Sequence, residues 1–310
     1  MKMKKSKIIV PALGLLLLST AASVSGTVAW FTANSVTSIT GMSFNTKVSS
    51  NLLIAEDVIG STAKKAENLF TDSLTQSKTA ILEPVSTTEG RQFFYTTNAK
   101  ADGDAKTDAY TAYSTQAAFA TAYGQTGDDT VLPYLDYVFQ LKAVNVSNGT
   151  LDLKVTNLTL TYGGTADGSK AYRVAFFVED ITSSNPTGTL GVSAGTADGI
   201  YAPSGAVNHS DADSKNFAVS GASAAPTQLS VTGNKYNNLT KLATVAKSTV
   251  SVPASYYKVI ARMYIEGEDT TCTNTTFAAL NESWSLDMQI SLGGEDANIT
   301  SLGTAVTPAP

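Results

Sequence analysis

Residues 134–145, YLDYVFQLKAVN, alternate in character along their whole length. Leu135, Tyr137, Phe139, Leu141 and Ala143 fall on one parity, and Tyr134, Asp136, Gln140 and Lys142 fall on the other. A period of two sends successive side chains to opposite faces of a pleated backbone, which predicts a half-buried β-strand. The next block repeats the pattern and then breaks it. Leu151, Leu153 and Val155 share one parity, whereas Leu158 and Leu160 share the other. A strand that keeps one face in a core changes parity only by gaining a residue, so a bulge or tight bend is expected near Asn157.

Working outward, the alternation recurs three more times. Tyr172, Val174, Phe176 and Val178 mark one strand, and Tyr257, Val259, Ala261, Met263 and Ile265 a second. Trp284, Leu286, Met288, Ile290 and Leu292 mark a third. Weaker signals lie elsewhere: residues 30–48, broken at Gly41, then 51–56, 92–96 and 241–252. Residues 61–82 are mixed in pattern and accommodate a helical turn, and 276–280 reads as another. Long amphipathic helices are missing, and Gly-, Ser- and Asn-rich segments join the strands. The expected fold is therefore all-β: an antiparallel β-sandwich, jelly-roll-like, with one or two short helices. Phe139, Val174, Phe176, Val259, Met263, Trp284 and Leu286 are the expected core of two facing sheets.

Two stretches read as loop insertions into one domain. Residues 99–133 are rich in Ala, Thr, Asp and Tyr, with a short helix expected around 115–123. Residues 182–240 are rich in Gly, Ser, Asn and Pro, with a short strand candidate at 228–231. The domain itself is expected to span 30–310, behind a signal peptide over 1–29. That leader has the three parts of a secretory signal: Lys2, Lys4, Lys5 and Lys7, an apolar run over 8–18, then small residues. Thr27 and Ala29 satisfy a signal peptidase and would leave Trp30 at the mature end, although cleavage after Ala22 or Ser25 also meets the rule. The apolar run is short for an uncleaved membrane anchor. A type IV pilin leader would carry an acidic residue where Ser19 stands. The expected location is extracellular, secreted or at the cell surface.

Composition narrows the partners. Charged residues make up 15% of the chain and the formal net charge is −5, which disfavours nucleic acid and anionic membranes, more so once the four leader lysines are removed. No segment after the leader is expected to hold the chain in a membrane. Cys272 is the single cysteine, so no intramolecular disulfide can form.

The chemistry of an enzyme is not visible. His209 is the single histidine, so neither a multi-histidine zinc site nor a histidine-based triad with a rigid setting can be assembled. No phosphate-cradling or nucleophile-elbow glycine pattern occurs. Neither catalytic nor cofactor-binding residues are expected. Among the paired acids, Asp211 and Asp213 lack the turn glycine and distal glutamate of a calcium loop. Glu266, Glu268 and Asp269, directly after a strand, are the better calcium candidates. Eight Asn-x-Ser/Thr sequons begin at Asn145, Asn148, Asn157, Asn208, Asn238, Asn274, Asn281 and Asn298.

Gly26-Thr27-Val28-Ala29-Trp30-Phe31-Thr32-Ala33 resembles the leader junction of Firmicutes proteins exported through a dedicated SipW-type signal peptidase, the group of biofilm fibre proteins and camelysins typified by TasA. Residues 262–272, RMYIEGEDTTC, resemble a strand-end motif in clostridial proteins with such leaders. The first resemblance covers about the first 45 residues. It implies a jelly-roll-like secreted subunit that polymerises by donating its N-terminal strand. Trp30, Phe31, Val36, Ile39 and Phe44 would be the apolar side chains of that assembly strand, joined by Met42. The expected function is a non-enzymatic structural protein of a biofilm matrix, fibre or cell surface that associates with itself. The alternative is a secreted adhesin or carbohydrate-binding module using the two insertions.

Overall fold

In a computed structural model, the described residues are 37–48, 51–61, 63–85, 87, 90–91, 93–95, 109–113, 131–163, 171–183, 197–203, 216–219, 227–228, 241–266, 284–293 and 303–307. Their strands are, in chain order, β1 (Thr37–Val48), β2 (Leu52–Glu56), β3 (Ser73–Leu82), β4 (Phe93–Tyr95), β5 (Ala109–Tyr113), β6 (Val131–Leu132), β7 (Leu135–Ala143) and β8 (Leu151–Gly163). There follow β9 (Tyr172–Asp180), β10 (Gly199–Tyr201), β11 (Asn216–Val219), β12 (Thr227–Gln228), β13 (Ala243–Val245), β14 (Ser255–Ile265), β15 (Trp284–Leu292) and β16 (Gly303–Thr307). The one described helical piece is a 3₁₀ turn at Glu67–Leu69.

Two sheets face each other, as the alternation predicts. The first runs β13-β8-β15-β1-β3-β6, with β16 also on β8, and the second runs β10-β9-β14-β7-β2. Most pairs are antiparallel, but β1 runs parallel to β15, β16 to β8 and β3 to β6. A third small sheet has the order β12-β11-β5-β4, and Phe93 of β4 packs against the second sheet.

The core is made of aligned rows. In the first sheet Leu160, Leu286, Phe44 and Gln76 are successive partners, and so are Leu158, Met288, Thr46 and Leu74. In the second, Phe139, Val259 and Val178 form one row, and Tyr137, Ala261 and Phe176 another. Phe44 closes the gap between the sheets, stacking on Tyr137 at 4.8 Å and Phe139 at 5.8 Å. Of the expected core, Phe139, Val174, Phe176, Val259, Met263 and Leu286 are all buried. Trp284 opens β15, but its side chain lies outside the described set.

The parity switch in β8 has the expected cause. Gln289 pairs with Asn157 while the next residue, Ile290, pairs with Val155, leaving Thr156 as the extra residue of a bulge. Leu153, Val155, Leu158 and Leu160 are consequently all buried. A second register slip in β1, between Ile39 and Met42, falls at the Gly41 break.

Three sequence expectations need correction. Residues 61–82 hold not only the 3₁₀ turn but also β3, a ten-residue strand; its polar Thr75, Gln76, Ser77 and Lys78 hide the pattern. Residues 182–240, where a strand is expected at 228–231, also hold Gly199–Tyr201, the buried edge strand β10 on β9. Finally, β7 is not half-buried: Asp136, Val138 and Gln140, on the parity expected to meet water, are buried too. The helices expected at 115–123 and 276–280, and the domain's ends, lie outside the described residues.

Candidate functional site

The reversal in β7 locates the most unusual chemistry in the molecule, on the outer face of the second sheet. The register lays out four rows there. Gln140, Lys258 and Glu179 form the first, Val138, Ile260 and Phe177 the second, Asp136, Arg262 and Ala175 the third, with Tyr264 beside Arg173 in the fourth. The first three rows alternate charged, apolar, charged, following Lys258, Ile260 and Arg262 of β14, and the fourth brings a second buried guanidinium, Arg173. A face with fully buried Lys and Arg side chains is unusual, since each charge must find a partner on leaving water.

Arg262 secures one covering segment. Its Nε and Nη2 donate to the two carboxylate oxygens of Asp136 at 2.7 and 2.8 Å, and Nη1 donates to the Gly90 carbonyl at 3.2 Å. Its guanidinium lies 3.7 Å from the Tyr134 ring centre, with Phe177 and Phe93 at 5.2 and 5.9 Å. Burial alone would favour loss of the Arg262 proton, and the Asp136 carboxylate outweighs it, holding the group charged. Around this pair a second apolar cluster forms from Val85, Phe93, Tyr134, Phe177, Ile260 and Tyr264, among others. Gly90 adopts a left-handed backbone (φ 74°), and a Cβ there would stand 2.9 Å from the Ala175 Cβ. Only glycine fits both the conformation and the approach.

Lys258 secures the other segment, residues 57–61. Its Nζ donates to the carbonyls of Ser61 at 2.7 Å and Val58 at 3.1 Å, and stands 3.4 Å from Asp57 Oδ2. Gln140 Nε2 donates to Asp57 Oδ2 and to the Ala63 carbonyl, both at 2.9 Å, while Gln140 Oε1 accepts from the Lys65 N–H. Lys65 Nζ lies 3.0 Å from Asp57 Oδ1. Burial pushes the Asp57 carboxyl up, but hydrogen bonds from Gln140 and the Val58 amide, with the Lys65 and Lys258 ammoniums, together hold it below the usual carboxylate range. At the rim, Glu67 accepts from Lys142 and from the Tyr256 hydroxyl.

A cleft of about 490 Å³ opens beside this network, between β3 and the β2–β7 edge. Glu56, Gln76, Lys78, Leu132 and Leu135 line it, with the exposed Val58 and Ile59 on its wall. Gln76 Nε2 donates to Glu56 Oε1 at 3.0 Å and to the Val138 carbonyl at 3.2 Å. Gln76 Oε1 is buried without a hydrogen-bond partner.

The residues singled out from sequence fare unevenly. Ile39 and Phe44 lie in β1, which pairs with β15 and β3 of the same chain, and Phe44 is fully buried. Trp30, Phe31 and Val36 lie outside the described residues, as do Ala29, His209 and Cys272. Glu266 is buried at an isolated bridge to Val85, its N–H bonded to the Ala171 carbonyl at 2.8 Å; Glu268 and Asp269 are outside the described set. Among the described residues no cluster of acidic, His or Cys side chains is placed to hold a metal. Of the sequons, Asn145 is buried and holds its own turn, donating to the Gly149 and Val245 carbonyls at 2.9 Å. Asn148 and Asn157 are exposed. Asp57, Asp136, Lys258 and Arg262 went unflagged in the sequence; the one available signal was charge at alternate positions of otherwise apolar strands. Comparison with family models, curated proteins and solved structures gave no match.

Proposed function

We propose that the protein is a non-enzymatic extracellular structural subunit, of a biofilm matrix, fibre or cell surface, that links copies by β-strand addition. The observation that carries this reading is the position of β1. It is the first described strand, yet it sits in the interior of a sheet, between β15 and β3. Its removal would open a groove with two unpaired edges and an apolar floor. Residues 49–51 alone join it to β2 in the opposite sheet. Delivered to the same groove of a second copy, β1 re-forms every row of the core there. Repeated head to tail, the exchange builds a filament that does not close. The resemblance of the leader to that of secreted fibre proteins supports the same reading.

The test is a lock. Ser43 and Ser285 are direct partners in the β1–β15 pair, so cysteines placed at both would tie β1 into its own chain when oxidised. The expected result is monomers when oxidised and filaments by electron microscopy when reduced. Filaments from the oxidised form would refute strand exchange.

The cleft supports a second reading, a secreted adhesin or carbohydrate-binding module. The exposed Glu56 carboxylate, held by Gln76 Nε2, is an acceptor suited to ligand hydroxyls. Glycan-array binding that Gln76→Ala abolishes would favour it; an array without signal would leave the structural reading standing alone.

A further inference from the structure

We propose that Lys258 and Asp57 condense into an intramolecular isopeptide bond, tying the middle of β14 to the segment that follows β2. Of the two buried ion pairs on this face, the Arg262 pair has ideal two-pronged geometry, and a guanidinium is no nucleophile. The Lys258 pair differs in both respects. Both of its side chains are 0% exposed. Lys258 directs its N–H bonds to the Ser61 and Val58 carbonyls rather than to the carboxylate, leaving the amine beside Asp57 at 3.4 Å. A primary amine and a carboxylate are thus both buried and held 3.4 Å apart, the arrangement in which an intramolecular reaction is fastest.

Burial also sets the direction. In water, hydration of ammonium and carboxylate favours the separated acid and amine. With hydration removed, two desolvated charges carry a penalty that a neutral amide does not. Condensation removes both charges and releases one water.

The atoms balance without any co-reactant. A proton passes from Lys258 Nζ to Asp57 Oδ2, giving amine and carboxylic acid. Nζ then attacks Asp57 Cγ, and the negative charge gathers on Oδ1, 3.0 Å from the Lys65 ammonium. Gln140 Nε2, 2.9 Å from Oδ2, keeps the carboxyl from rotating. A second proton moves from Nζ to Oδ2, the Cγ–Oδ2 bond breaks, and Oδ2 leaves as water. Nζ keeps one hydrogen in the new amide. The bond forms after folding, which is what brings residues 57 and 258 together. For a chain with one cysteine, this supplies the covalent tie that a disulfide cannot.

The experiment is the intact mass of the folded full chain, fresh and aged, against the mass of its own sequenced N-terminus onward. The expected value is one water below the sequence mass, with a branched peptide joining residues 57 and 258 after proteolysis. Asp57→Ala and Lys258→Arg should each restore the full mass. Asp57→Asn should lose ammonia instead and yield a product of the same mass as condensed wild type. An aged, folded wild-type chain at its full sequence mass overturns the proposal. So does a deficit that persists in Lys258→Arg or maps to other residues.

Discussion

Replacing Arg262 by alanine should cost about 3–5 kcal/mol of folding stability, the toll of stranding a buried charge. The magnitude follows from the surroundings. Asp136 is 4% exposed, and its two oxygens receive their charged partner at 2.7 and 2.8 Å from a fully buried guanidinium. Truncation leaves that carboxylate without its counter-charge and removes the guanidinium from among the Tyr134, Phe93 and Phe177 rings. It also frees the Gly90 carbonyl and empties the space beside the Tyr134 ring. Arg262→Lys should fall between wild type and alanine, because an ammonium cannot make the two-pronged contact. The double variant Arg262→Met, Asp136→Leu is the informative control. It removes both charges while keeping bulk in an aromatic box, and should lie within about 1 kcal/mol of wild type or exceed it. Urea unfolding at constant m-value measures all four proteins. If Arg262→Ala costs under about 1 kcal/mol, water reaches Asp136 and the outer face is not sealed. If the double variant loses as much as the single one, ion pairing rather than apolar packing holds Gly90 and Phe93 down.

Other outcomes follow from the same geometry. Phe44→Ala should cost about 3–5 kcal/mol, because it removes a fully buried ring stacked between the sheets; a cost below about 1 kcal/mol in thermal unfolding would mean β1 is not a core strand. Deleting Thr156 should abolish the bulge and turn either Leu153 and Val155 or Leu158 and Leu160 outward, leaving a chain without a cooperative transition in calorimetry; a normal transition would show the bulge to be dispensable. The Tyr256 hydroxyl is pushed up to about 12 by burial and by its bond to the Glu67 carboxylate. It therefore contributes stability that is present below the ordinary tyrosine value and is lost as pH rises through about 12. Burial also pushes Tyr137, Tyr201 and Tyr257 up, so ultraviolet titration should show several tyrosines ionising late, of which Glu67→Gln moves one down. Glu67 itself is held below its usual value by hydrogen bonds from Lys142 and Tyr256. The stability it contributes is present above the unfolded glutamate value and lost as pH falls through the folded one; an acid titration of unfolding midpoint that Glu67→Gln leaves unchanged would contradict this.

The sequence by itself determined the strands that carry the core, because hydrophobic periodicity is a local property. The parities of β7, β8, β9, β14 and β15 were readable, and so was the bulge at Thr156, since a parity switch between Val155 and Leu158 has few other solutions. The Gly41 break was readable for the same reason. β3 was not, because its inward positions hold Gln76 as well as Leu74 and Leu82, and an alternation of polar residues leaves no hydrophobic trace.

Tertiary structure alone decided what each face meets. Asp136, Gln140, Lys258 and Arg262 occupy the parity that a two-layer sandwich turns to water, and nothing within those strands reports that residues 57–61, Val85, Gly90 and Phe93 fold over them. Their partners, Asp57 and Gly90, lie far away in sequence in turn-like segments that look solvated. The place of β1 between β15 and β3 was equally unreadable, since pairing between the two ends of a chain leaves no local pattern. The candidate site is built from such distant pairs. Its chemistry arises from desolvation, which belongs to the assembled fold and to no stretch of sequence.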